Sequence, residues 1–186
     1  MFKRIILLAI LLMPLVVWSA YKPVRVIVPN WNSVSCVTDE ICVELQEKAV
    51  EAKALYNSSI GFVSETVGEI KNNPRVTFCS SAACFRKFGF SAPAKAKTVG
   101  LSGIVVGPSG WEPIILRHEM IHHLQAEHLG VIGQWRSPPW FKEGMAYYLS
   151  NDSRHLTEPF KSYREQFGHW YSQVGKEQVW EAAKEL

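Results

Sequence analysis

A chain of 186 residues that is 47% hydrophobic and 12% aromatic suits one domain with a sizeable core, and it is too apolar to be disordered. Its formal net charge is +3, and two of the positive charges are Lys3 and Arg4, so the rest of the chain is close to neutral. That balance argues against a nucleic-acid binder or a protein held to anionic lipid by charge.

The N-terminus reads as a targeting segment. Lys3-Arg4 form a basic n-region, residues 5–17 an apolar h-region interrupted by Pro14, and Val17, Ser19 and Ala20 surround a cleavage site. Cleavage after Ser19 leaves Val17 and Ser19 at the two recognition positions, whereas cleavage after Ala20 would put bulky Trp18 at one of them. The expected organisation is therefore a signal peptide over residues 1–19, or an uncleaved anchor, followed by a single exported domain over residues 20–186. The apolar run is short for a spanning helix, and contact with a membrane is expected only if the segment stays attached. Export suits the cysteines. Cys36, Cys42, Cys79 and Cys84 form an even set, and proximity favours Cys36–Cys42 and Cys79–Cys84. Neither pair has the CxxC spacing of a second zinc site.

In chain order, the β-branched run at residues 24–28 predicts a strand. Thr38 suits a helix cap, with Asp39 and Glu40 in the first turn, and Ile41, Leu45, Ala49 and Ala52 recur at helical spacing to about Asn57. A second helical piece follows over residues 59–70 and stops at Asn72-Asn73-Pro74. Residues 75–79 predict a strand and residues 82–88 a short helix ending at Gly89. Residues 91–97 read as a loop, and residues 98–106 as two strand pieces around Gly100 and Gly103. The second piece, residues 102–106, precedes the next helix and could offer its edge to an extended peptide. Gly107-Pro108-Ser109-Gly110 is a turn into that helix.

This helix, led in by Trp111 and closed by Gly130, carries His118-Glu119-Met120-Ile121-His122. Histidines four apart lie on one face, about 40° apart around the axis, so one Zn²⁺ can take both. Glu119, one step round from His118, can reach a water without ligating the metal, as a general base must. Ser137 then suits an N-cap and Pro138 a first turn, and the helix they start continues to about Asn151. Within it Glu143 lies among apolar residues, next to Gly144 and near Ala146, small residues that let another helix approach. A carboxylate there needs a partner: a metal, or a base such as Arg117. The tail reads as two helices separated by Gly175, the first beginning at Glu158-Pro159 with Phe160, Tyr163, Phe167 and Trp170 at helical spacings.

The HExxH at 118–122, followed by Pro139-Trp140-Phe141-Lys142-Glu143-Gly144-Met145-Ala146, resembles the gluzincin metallopeptidases and looks closest to their small peptidase MA-like group. The resemblance covers roughly residues 75–151. It implies an α+β, zincin-like fold, a small mixed sheet packed on helices with the HExxH helix beside a second, Glu-bearing helix. It implies one Zn²⁺ held by His118, His122 and Glu143, with Glu119 as base. The implied activity is an exported endopeptidase that hydrolyses peptide bonds through a zinc-activated water, with a peptide or protein as its partner. The alternative is a catalytically silent zinc-site protein that binds peptides or assists assembly at the cell envelope. By type, Tyr147, Tyr148, His155, Tyr163, His169 and Tyr171 could all donate to an oxyanion, with Tyr163 preferred.

The chain departs from the thermolysin-like pattern at Tyr147, which stands where those enzymes place an Asp bonded to a zinc histidine. A phenol would support that histidine more weakly. Asp152 is too far along a straight helix to replace it. A rival third ligand is His128, ten residues after His118 as in the metzincin pattern. That pattern requires a Gly where this chain has Gln125, and in a continuous helix His128 points about 100° away from the other two histidines. His123 is expected off the ligand face, at the surface or behind the ligands.

Overall fold

The computed structural model describes residues 22–186, so the expected signal segment lies outside the described residues. In chain order the elements are α1 (Lys22–Ile27), β1 (Ser35–Cys36), β2 (Ile41–Val43), α2 (Ala49–Thr66), β3 (Val76–Phe78), α3 (Ala82–Lys87), β4 (Ala96–Thr98), β5 (Ile104–Val106), α4 (Pro113–Arg136), α5 (Pro139–Leu149), α6 (Phe160–Val174) and α7 (Val179–Ala183), with short 3-10 turns between some of them. The fold is mixed α+β, as expected. Five strands run in the order β1-β2-β3-β5-β4, with the three central strands parallel and both edges antiparallel.

The central strands are three residues long and buried throughout, because each separates two cores. Alternate side chains go to opposite faces. Ile41, Val43, Val76, Phe78, Ile104 and Val106 enter the main core with α2, α4 and α5. Cys42 and Val105 enter a smaller one with Val26 of α1 and Phe85 of α3. Both expected disulfides are present. Cys36–Cys42 joins β1 to β2, and Cys79–Cys84 ties the end of β3 to α3. Among the described residues no helix is long and apolar enough to cross a membrane, and the two disulfides are compatible with an exported protein.

Four expectations change. Residues 24–28 are not a strand: Pro23 opens the helix α1, which buries Val26 against the smaller core, and the sheet edge beyond β2 is taken by β1. Thr38 caps no helix. Its Oγ1 accepts from the Glu40 and Ile41 amides, closing the turn between β1 and β2, and the helix starts only at Ala49 and runs unbroken to Thr66. The expected loop over residues 91–97 ends in the edge strand β4. That in turn makes β5 an interior strand, so the free edge beside the HExxH helix belongs to β4. Ser137 caps no helix either; its hydroxyl donates to the Gly133 carbonyl, and α5 starts at Pro139 with Pro138 at its N-cap.

The small residue next to Glu143 has the expected use. Gly144 lies under the Tyr163 carbonyl, and an added Cβ would also come within 2.8 Å of the Phe167 Cβ, so α5 and α6 touch backbone to backbone. Gly144→Ala is expected to destabilise the protein by about 1–3 kcal/mol through overpacking. Urea unfolding checks this, and an unchanged midpoint would show that α6 moves aside freely.

Candidate metal centre

The metal-site residues come from two helices that meet at an angle set by one glycine. Residues 113–129 of α4 are regular helix, and Gly130 (φ 71°, ψ 159°) then breaks the course. That positive φ suits glycine and turns residues 131–136 back toward the ligand face. The chain re-enters at Pro139 and α5 lays Glu143 across the two histidines. His118 and His122 bring their Nε2 atoms to 3.1 Å, and Glu143 Oε2 lies 3.7 Å from the first and 3.6 Å from the second. The three ligand atoms fall within 4.8 Å of one another, a group that can hold a metal ion.

The electrostatics of the metal-free group match that role. Burial by itself would raise the Glu143 carboxyl, but its bonds to both histidines outweigh burial and hold it well below the usual carboxylate range. Burial lowers His118. Burial works against His122 too, yet the neighbouring Glu143 carboxylate raises it. The group therefore sets an ionised carboxylate against two imidazoles, an arrangement in which a bound cation would take the place of a proton.

Glu119 is buried, with Oε2 2.6 Å from the Thr98 amide and 2.7 Å from the Thr98 hydroxyl. Thr98 belongs to β4. Its neighbour Lys97 pairs with Val105, while Lys95 and Val99 bond the chain around β5, so Ala96 and Thr98 turn their main-chain groups outward. Glu119 thus joins the metal helix to the free edge of the sheet. Cavities flank this junction on both sides. One of about 550 Å³ is bounded by residues 91–97, His118, Tyr147, Arg154 and Phe160. Another of about 230 Å³ is bounded by Thr98, His122, Val131, Trp135 and Lys142. Lys97, Glu119 and Glu143 border both.

Comparison with family models, with curated proteins and with solved structures finds no match.

The structure brings together His118, Glu119, His122 and Glu143, sets Tyr147 beside His118, and leaves the other candidates elsewhere. His128 stacks on Trp180, ring centroids 4.0 Å apart and planes 2° from parallel, away from the triad. Arg117 is not the partner of Glu143; its guanidinium sits 3.8 Å over the Phe62 ring. Tyr147 presents its ring edge-on to His118 at 4.5 Å and lines the larger cavity. Tyr163 borders neither cavity; its ring meets Phe160 and its carbonyl faces Gly144. Asp152 is buried and bound by Arg154, whose guanidinium borders the larger cavity. His123 is buried, not at the surface, and bonds the Asn72 carbonyl at 2.8 Å. Thr98, Gln125, Gln134 and Arg154 are polar residues at the site to which sequence reasoning gave no role. Gln125 had a signal: three residues beyond His122, it lies on the ligand face. Thr98 had none, since only the sheet order brings it to Glu119.

Proposed function

We propose that the protein is a zinc-dependent endopeptidase of the gluzincin type, with His118, His122 and Glu143 holding one Zn²⁺ and Glu119 acting as general base. The observation that supports this most is the shape of the triad. Ligand atoms bound tetrahedrally to zinc lie about 3.3 Å from one another. The three separations here, 3.1, 3.6 and 3.7 Å, bracket that value. Two imidazoles and a carboxylate bordering a cavity are the donor set of a hydrolytic zinc site. A small mixed sheet packed on the two helices that carry these residues is compatible with that reading.

When bound, zinc polarises a carbonyl and acidifies a water. Glu119, which borders both cavities, takes a proton from the attacking water and returns one to the departing amine. Tyr147 and Arg154 both line the larger cavity, and each carries a donor of the kind that steadies a developing oxyanion. The outward groups of β4 suit an extended peptide running along that edge. The basic and apolar N-terminal sequence, with the two disulfides, supports a periplasmic or secreted protein, anchored if the segment is not removed.

One observation favours the alternative, a zinc-site protein that binds peptides without cleaving them. Glu119 Oε2 already accepts two hydrogen bonds from Thr98. The two readings separate on unfolded casein. Cleavage by the purified chain, abolished by a chelator and restored by zinc, is the expected result. A fully zinc-loaded protein that cuts neither casein nor a mixed peptide library would leave the binding role.

A further inference from the structure

The HExxH helix carries a buried amide that hydrolysis itself does not use. Gln125 is wholly excluded from solvent. Its Nε2 donates to the Lys142 main-chain carbonyl, 2.9 Å away. A carbonyl only accepts, so the nitrogen of the amide must be the atom on that side. Oε1 is then turned toward His122 Nδ1, at 2.9 Å. An amide oxygen also only accepts, so His122 must carry a proton on Nδ1. The lone pair of the neutral ring is thereby left on Nε2, the atom that faces His118 and Glu143.

A second amide reinforces the first. Gln134, brought back by the turn at Gly130, donates from Nε2 to the His122 carbonyl at 2.5 Å and to Gln125 Oε1 at 3.3 Å. His118 offers the contrast, because its Nδ1 is buried with no hydrogen-bond partner among the described residues. Lys142, whose carbonyl orients the amide, immediately precedes Glu143. One side chain therefore touches the helix of two ligands and the backbone that carries the third.

We infer that Gln125 is a positioning residue for the metal centre, which presets His122 as an Nε2 ligand and fixes α5, with Glu143, against α4. The inference rests on the metal-site reading above. It is tested on the full chain by competing zinc against a chromogenic chelator, and by thermal unfolding of the metal-free protein, for wild type, Gln125→Met and Gln125→Glu. Methionine keeps the length and removes the hydrogen bonds to His122, Lys142 and Gln134, and zinc affinity should fall about 10–100-fold. Glutamate keeps an acceptor for His122 Nδ1 but loses the donor to the Lys142 carbonyl. It should recover most of the affinity while unfolding at a lower temperature. A merely structural role would lower the unfolding temperature in both variants and leave the affinity of the folded protein unchanged. Wild-type affinity in Gln125→Met, or equal weakening in both variants, overturns the inference. A wild-type chain that takes up no zinc overturns the metal-site reading and the inference with it, a result told apart by appearing before any substitution is made.

Discussion

Glu119→Gln is expected to retain the proposed metal ion and to lose about 10²–10⁴-fold in kcat, the usual contribution of a positioned general base. The substitution preserves shape. Oε1 of the glutamine can still accept from the Thr98 amide, so the tie between α4 and β4 survives, and neither histidine nor Glu143 is touched. What is removed is the ability to take a proton. Metal content by mass spectrometry and turnover on a peptide cut by the wild type are the two readouts. Zinc retained with turnover above about a tenth of wild type would sink the assignment of Glu119 as base, since less than one decade is below what that role contributes. The Thr98 contacts sharpen the comparison. If they hold Glu119 out of action in the free protein, wild type and Glu119→Gln will bind peptide alike and neither will cleave it, which is the signature of the binding-only alternative.

The two helices of the site could be read from the sequence because a motif and flanking turn residues mark them: HExxH with Gly130 closing the first, and Pro138 at the start of the second. Short sequence separation was enough to pair the cysteines. The misread elements are short or local. Thr38 offers its hydroxyl to amides two and three residues on, and that contact is the same in a helix cap and in a tight turn, so the residue alone does not choose. Ala96 and Lys97 have little β preference, and they extend the strand from Thr98 because β5 is there to pair with. The β-branched run at residues 24–28 met the opposite fate, helical because the sheet offers it no partner.

The site divides along the same line. His118, Glu119 and His122 follow from spacing on one helix, and Glu143 was approached through a carboxylate that needed a partner and a resemblance that supplied one. The groups that orient these residues come from elsewhere in the chain. Thr98 reaches Glu119 only because β4 is the edge strand, and Gln134 reaches His122 only because Gly130 reverses the chain. Contacts made by tertiary geometry leave no period to read.

Glu143→Ala is expected to abolish stoichiometric metal binding, and His128→Ala to leave it intact. Glu143 contributes the only carboxylate oxygen to the group of three, and removing it leaves two imidazoles whose Nε2 atoms are 3.1 Å apart with no anion beside them. Two neutral ligands neither complete a tetrahedral set nor offset the charge of the ion. Affinity should fall well beyond the roughly 10–100-fold expected for a supporting contact. His128 instead spends its ring face on Trp180, so its loss is felt at the junction of α4 and α7. A modest fall in unfolding temperature with full zinc content is the expected result there. The pair of variants decides between two ligand sets that share HExxH. Zinc lost in Glu143→Ala and kept in His128→Ala supports the ligand that α5 carries across the histidines. The reverse result would require α4 to fold back at residue 125 and break the helix that buries Gln125, and would overturn both the ligand set and the amide network built on it.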